Sequence, residues 1–394
     1  MDIAERPVIT PAGNVHLRSL NPLDALERSA GIFREKVAVI DGSVRRTYPQ
    51  MRDRVMQFAR ALQRLGVRRG DRVAVLAPNT APLLEAHFAV PAAGAILVAV
   101  NTRLLADEIA YILAHCGATV FVYDADFAEL VDGVTAQLRK DGAAEPIGIC
   151  IGGAAQDAEF EALIARESTD ALTVEPQDED ATISINYTSG TTGRPKGVMY
   201  TYRGAYLNAL AEVYHHSLRS ESTYLWTLPM FHCNGWVYPW AVTFAGATHV
   251  CLRKIDPPAT LALIEEEKVT HLCAAPTVLI SLVNHPSAKP FGHALRIMTA
   301  GSPPSPTLIA QVEKLGASIV QVYGLTEVYG PITVCEWKSD LWDGLPADER
   351  ARIKSRQGVS MITTRFGDVR VVDEHLVDVP ADGATAGEVV MRGN

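Results

Sequence analysis

From Thr188 to Lys196 the chain reads TSGTTGRPK, a hydroxyl- and glycine-rich run that ends in a lysine and has apolar chain on both sides. Gly190 and Gly193 permit backbone conformations in which successive amides turn to one side and form an anion nest. Thr188, Ser189, Thr191 and Thr192 add hydroxyl donors, and Lys196 adds a cation. Such a set suits the phosphates of a nucleotide. A plain mobile loop is the alternative for most clusters of this composition, but here the unbroken run leads into a lysine between two apolar segments, which favours phosphate. A Walker A loop does not fit, because Pro195 precedes the lysine where glycine is required and Gly197 follows where a magnesium-binding hydroxyl should stand.

Three further stretches carry chemistry. QVYGLTEVYG (residues 321–330) follows the strand-like ASIV, so it falls at the C-terminal edge of a strand, where open α/β sheets hold ligands. LPMFHCNGW (228–236) places His232 beside apolar residues, where it reads either as a satisfied core histidine or as a substrate contact, and the context favours contact. AGSPPSP (300–306) reads as a helix start capped by Ser302 or Ser305. The six cysteines lie far apart with no C-x-x-C pair, and neither they nor His232 have metal-ligand spacing, so structural zinc and a disulfide framework are excluded.

The elements that must position these residues follow from periodicity. From Arg72 onward RVAVLAP, AILVAVN and ATVFVYD read as buried strands separated by helical patterns, and the alternation restarts after the phosphate loop through STYLWTLP, ATHVCL, THLCAAP, ALRIMTAG and ASIVQVYG. The aromatics of GWVYPWAVTF have helical spacing and read as core, with Trp236 and Val237 as the pocket wall. The expected fold is α/β, two mainly parallel sheets flanked by helices with a small antiparallel β subdomain. It divides into an N-terminal unit over 1–175, a central unit over 176–335 and a β-rich part over 336–394. The Ala-, Gly- and acid-rich stretch 141–180 reads as a surface connection, and DERARIKSRQ (348–357) as a solvated helix face.

At 394 residues and 48% hydrophobic content the chain can bury a sizeable core, and its formal charge of −9 with no basic run argues against nucleic acid or an anionic membrane as partner. The longest apolar run, 89–100, is too short to span a bilayer and contains Pro91 and Gly94. The N-terminus MDIAERPVITPAG lacks a signal-peptide pattern, so a cytoplasmic location is expected.

YTSGTTGRPKGV resembles the signature of the adenylate-forming (AMP-binding) synthetases, which include acyl-CoA synthetases, luciferases and peptide-synthetase adenylation domains, and the resemblance runs from about Leu26 to Asn394. It implies ATP, Mg²⁺ and CoA as cofactor and co-substrates and a small carboxylic acid as partner, and it is compatible with a homodimer. It assigns the β- and γ-phosphates to residues 188–196, adenine to Tyr323 and the loop with Gly301, Ser302 and Pro303, further ATP or AMP contacts to Gln321, Val322 and Gly324, the nucleotide phosphate to Thr326, and Mg²⁺ to Thr188 and Glu327. Thr188, Lys196, Thr326 and Glu327 would be catalytic. The acid pocket would be bordered by His232, Trp236, Val237, Ala300, Val322 and Gly324. Val322 stands where many relatives carry glycine, which implies a narrowed acyl pocket.

The family pattern continues beyond GEVVMRGN into a ribose-binding aspartate, a hinge and a small domain with a catalytic lysine. The resemblance therefore implies the large lobe of an acyl-CoA synthetase, impaired or inactive alone. The expected reaction joins a short- or medium-chain fatty acid to CoA through an acyl-adenylate. An aromatic-acid ligase and a non-catalytic nucleotide-binding module are the alternatives. A carrier-loading adenylation domain is disfavoured.

Overall fold

A computed structural model describes residues 18–152, 156–172, 178–188, 193–365 and 367–393. Seventeen strands occur among them: β1 (Val37–Asp41), β2 (Val44–Thr47), β3 (Arg72–Leu76), β4 (Ile96–Ala99), β5 (Ala118–Asp124), β6 (Ile147–Ile151), β7 (Thr182–Thr188), β8 (Lys196–Thr201), β9 (Thr223–Leu225), β10 (Thr248–Val250), β11 (His271–Ala274), β12 (Leu295–Thr299), β13 (Ala317–Leu325), β14 (Gly330–Val334), β15 (Val359–Ser360), β16 (Val369–Val372) and β17 (Glu388–Met391). Six form one sheet in the order β6-β5-β3-β4-β7-β8, nine form a second in the order β15-β14-β13-β12-β11-β9-β10-β1-β2, and β16 pairs with β17. In the six-stranded sheet only the β7–β8 pair is antiparallel. The larger sheet is parallel from β1 through β13 and antiparallel at both ends. The mainly parallel two-sheet architecture expected from the apolar strands is present.

Alternate residues of each strand feed opposite layers. Val73 and Val75 of β3 enter the same central core as Tyr224 and Trp226, whereas Ala74 and Leu76 join the outer helices Ala106–Cys116 and Ala128–Lys140. Leu225 of β9 turns away to the helices Pro257–Glu266, Pro276–Val283 and Pro306–Lys314. Helix, sheet, helix, sheet and helix thus stack in five layers. The helix Ala81–Ala92 lies in the middle layer, touching β1 of one sheet and β3 and β4 of the other. Burial on all sides explains why it is apolar almost all round.

Chain order and sheet membership differ. The hairpin β1–β2 precedes the six-stranded sheet in sequence yet closes the nine-stranded one, and β7–β8 completes the first sheet from beyond residue 175. Residues 141–180, read as a surface connection, contain β6 and the helix Gln156–Ala165, whose Phe160 meets Phe58 edge-on at 5.2 Å. The Ala/Gly content hid a strand whose inward residues, Ile149 and Ile151, are its buried ones. The helix expected across GWVYPWAVTF begins only at Tyr238. In the DERARIKSRQ stretch, Lys354 is held by Glu313 and lies 4.7 Å from the Trp337 ring centre, so that face is only partly solvated. Among the described residues no helix is long and apolar enough to cross a membrane.

The middle layer also holds a polar group. Glu212 is fully buried, with the Tyr238 hydroxyl 3.1 Å from its Oε2, and the same hydroxyl lies 2.7 Å from His216 Nδ1. Burial pushes the Glu212 carboxyl up to about 8, against the smaller opposing pull of the Tyr238 hydrogen bond. The native state therefore holds a proton there that the unfolded chain releases near 4.5, so this group's contribution to stability is complete below 4.5 and is lost as pH rises towards 8. Glu212→Gln should flatten the decline in folding stability between about pH 5 and 8, which for one such proton reaches about 1.4 kcal/mol per pH unit. Urea denaturation of both proteins across that range checks this, and parallel curves would refute it.

Candidate active site

Antiparallel pairing builds the phosphate-loop region from both ends. Thr188 ends β7, Lys196 begins β8, and the two are cross-strand partners at the edge of the six-stranded sheet. Ser189, Gly190, Thr191 and Thr192 lie outside the described residues. Gly193 and Lys196, on the returning limb, both line a cavity of about 800 Å³ together with Thr188.

The cavity lies where strand ends from both sheets meet. The ends of β4 and β7 contribute Ala99, Val100 and Thr188, the end of β12 contributes Ala300 and Gly301, and the end of β13 contributes Gly324, Thr326 and Glu327. His232, Cys233 and Trp236 complete it from the turn before helix Tyr238–Ala245, and Leu104, Ile112 and Phe231 add apolar surface. Among the described residues neither Lys196 nor Glu327 has an ion-pair partner, and both side chains are exposed.

Of the residues singled out from sequence, the fold brings Thr188, Gly193, Lys196, His232, Trp236, Ala300, Gly301, Gly324, Thr326 and Glu327 to this one cavity. Six others among the described residues do not line it. Val237 and Val322 are buried in the central core, Gln321 is buried with its amide nitrogen 3.2 Å from Gln357 Oε1, Tyr323 is half-buried on β13, and Ser302 and Pro303 are exposed beyond Gly301. On a strand, neighbours point to opposite faces, so a contiguous motif cannot all reach one cavity. Ser305, by contrast, caps the helix Pro306–Lys314 by accepting from Leu308 N–H at 3.2 Å. Sequence reasoning missed Asn186, Glu108, Leu104 and Ile112 as cavity residues. Leu104 precedes the Ala106–Cys116 helix and Glu108 and Ile112 lie on it; at its start the sequence shows only a capping pattern, Glu108 Oε2 accepting from Leu105 N–H at 2.9 Å.

Two side chains of the β7–β8 hairpin, Tyr200 and Asn186, hold the opposite side of the site. Tyr200 donates to the Thr326 carbonyl at 2.6 Å while its ring stacks on Tyr329 at 3.6 Å, which fixes the short turn bearing Thr326 and Glu327. Asn186 Oδ1 accepts from the Asn234 N–H at 3.0 Å. Asn234 belongs to a turn, residues 233–237, in which every φ is positive, from 41° to 61°. Cys233, Asn234, Trp236 and Val237 are L-residues with a side chain in a left-handed conformation, each of which costs about 1–3 kcal/mol unless its surroundings impose it.

The site is not set for covalent attack by its cysteine. Burial pushes the Cys233 thiol up to about 11, so it is not a thiolate at neutral pH; its Sγ lies 3.5 Å from Thr326 Oγ1. His232 is exposed along the cavity wall, yet desolvation in this concave setting, with the charge of Arg103 adding, holds its pKa below the usual value and favours the neutral ring. Among the described residues no cluster of three or more His, Cys, Asp or Glu side chains could hold a metal. A single carboxylate, Glu327, beside hydroxyls fits an ion such as Mg²⁺, which keeps several waters and takes its remaining oxygens from phosphates.

Gly324 is required by the hairpin that carries Thr326 and Glu327. A Cβ there would lie 1.6 Å from the Gly330 carbonyl oxygen, a backbone atom that cannot swing away. Gly324→Ala should destabilise the protein by about 3 kcal/mol or more and abolish nucleotide binding, measured by chemical denaturation and calorimetry. Wild-type stability in that variant would show that the β13–β14 pairing is not as described.

A family model for AMP-binding enzymes matches residues 26–394. The chain is 40% identical over 402 residues to an acetate–CoA ligase, CCL3, of Humulus lupulus, covering 98% of this chain and 70% of the relative. It is also 40% identical over 382 residues to 4-hydroxybutyrate–CoA ligase 2 of Metallosphaera sedula, covering 95% and 69%. Among solved structures, the inhibitor-bound N-terminal domain of FACL13 from Mycobacterium tuberculosis superposes with a TM-score of 0.78 at 29% identity, over 91% of this chain and 86% of that one. The strand-end cavity, the hairpin loop and these similarities agree: the chain belongs to the AMP-binding enzyme family, and the relatives it matches are acid–CoA ligases.

Proposed function

We propose that this chain is the nucleotide- and acid-binding part of an AMP-forming acid–thiol ligase whose substrate is a short- or medium-chain fatty acid. The observation that carries the reading is the meeting of a phosphate-suited set, Thr188, Gly193, Lys196, Thr326 and Glu327, with apolar surface from Val100, Leu104, Ile112, Phe231 and Trp236 in one cavity. A carboxylate oxygen would attack the α-phosphorus of ATP, forming the acyl–phosphate bond as the bond to pyrophosphate breaks. The CoA thiol would then attack the acyl carbon and release AMP, losing its proton to solvent.

Both reactants are anions, so the chain's task is to hold them together against repulsion and to meet charge as it develops on the phosphates. Lys196 supplies the cation to the β- and γ-phosphates, Thr188 and Thr326 supply hydroxyl donors, and the neutral ring of His232 avoids trapping the carboxylate in an ion pair. A magnesium ion bound through Glu327 would neutralise part of the phosphate charge. Relatives named for acetate and 4-hydroxybutyrate support a small aliphatic acid, and one named for benzoate, 37% identical, keeps aromatic acids as the second reading.

The test is calorimetric titration with MgATP together with pyrophosphate release on acetate, butyrate, hexanoate and benzoate. MgATP binding with at most slow release, strongest on butyrate or hexanoate, is expected, and preference for benzoate would select the aromatic reading. Binding without release on any acid would leave a nucleotide-binding module. Lys196→Ala should weaken MgATP by about 10- to 100-fold, the value of a charge-assisted hydrogen bond, and unchanged affinity would remove Lys196 from the phosphate site.

A further inference from the structure

Asn186 is two residues before Thr188 on β7, lines the cavity, and is almost fully buried. Its carboxamide makes no bond along its own strand. Instead it crosses to the other sheet and takes both ends of Asn234: Oδ1 accepts the Asn234 N–H at 3.0 Å, and Nδ2 donates to Asn234 Oδ1. Asn234 is fully buried, with φ 41° and ψ 53°. Cys233 just before it and Trp236 two residues after it line the cavity. The turn has little slack on its inner side, since a Cβ on Gly235 would lie 2.8 Å from the Trp226 ring.

A left-handed turn with four side-chain-bearing residues does not hold itself, because each would relax to negative φ if released. At its far end the chain is fastened by Tyr238 to Glu212 and His216. At its near end Asn186 makes the described hydrogen bond from another element to the turn's backbone, and the Cys233 side chain adds a contact of 3.5 Å between its Sγ and Thr326 Oγ1. We infer that Asn186 is a positioning residue for the acid: its carboxamide holds the left-handed turn at residues 233–237, and so Trp236 and Cys233, in register with the strand that carries Thr188. This role rests on the acid-activating reading above. It makes a distinct demand, because removing the carboxamide leaves the Thr188–Lys196 pairing intact while freeing the turn, so the acyl part of a ligand should suffer and the nucleotide part should not.

The experiment uses the 394-residue chain and two probes that differ only in the acyl group, 5′-O-sulfamoyladenosine and its N-hexanoyl derivative, each titrated calorimetrically. In Asn186→Ala the affinity for the hexanoyl probe should fall about tenfold, in keeping with a buried N–H left without its acceptor, while affinity for sulfamoyladenosine stays within about twofold. Asn186→Leu, close to asparagine in shape, removes both bonds to Asn234 without opening a cavity, so it carries the test should Asn186→Ala fold poorly. It should show the same split. Equal weakening of both probes would mean that Asn186 merely supports the fold, and no weakening of either in a folded variant would mean that the turn is held without it; each overturns the inference. If the wild-type chain binds neither probe, the adenylate reading fails and the positioning role with it.

Discussion

The site depends on one constraint, the antiparallel ladder of β7 and β8 at the edge of the six-stranded sheet. Apolar packing brings the two sheets and their helices together, but it is non-directional and sets no register between a group on one sheet and a group on the other. The hairpin supplies that register. Its backbone pairs Thr188 with Lys196, and its side chains reach across to the second sheet, Asn186 to the turn at 233–237 and Tyr200 to the turn at Thr326. Through one hairpin, the loop limb, the Thr326–Glu327 turn and the wall bearing Trp236 are placed relative to one another.

These crossing bonds lie where the backbone is least at ease. The left-handed run at 233–237 and the positive φ of Tyr329 flank the cavity, and both are fastened by buried amide side chains, Asn186 at Asn234 and Asn208 at the Tyr329 carbonyl. Strained conformations persist only where their surroundings over-determine them, and here the surroundings are the packed middle layer with its Tyr238–Glu212–His216 group. The same dense layer keeps Cys233 a thiol and Glu212 a neutral acid, so groups that are reactive in water serve as packing and hydrogen-bonding parts.

The cavity combines two solvents for one ligand. Hydroxyls, Lys196, Arg194, Glu108 and Glu327 line it together with leucine, isoleucine and aromatic side chains, as suits a molecule polar and charged at its reacting end and apolar beyond it. Because the contributing strands end at a common edge of both sheets, changes in the intervening loops could alter the acid accepted without disturbing the layers beneath.

The sequence by itself determined the layered α/β plan, since continuous apolar strands need cover on both faces, and it marked the phosphate loop and the Thr326–Glu327 motif, since few residue types serve phosphate and a hard cation. It also led to the family, which the comparisons bear out. Only the tertiary structure decided which residues of each motif share the cavity: Val322 and Val237 turned into the core, while Asn186, Leu104 and Ile112 joined the wall. Alternation along a strand fixes which neighbours part company but not which face meets the other sheet, and that choice depends on contacts from residues more than a hundred positions away, such as Tyr200 with Thr326. The exchange of β1–β2 and β7–β8 between sheets and the left-handed turn beside the site were likewise invisible, because a chain read locally shows propensities, and these features exist only where distant hydrogen bonds and packing override them.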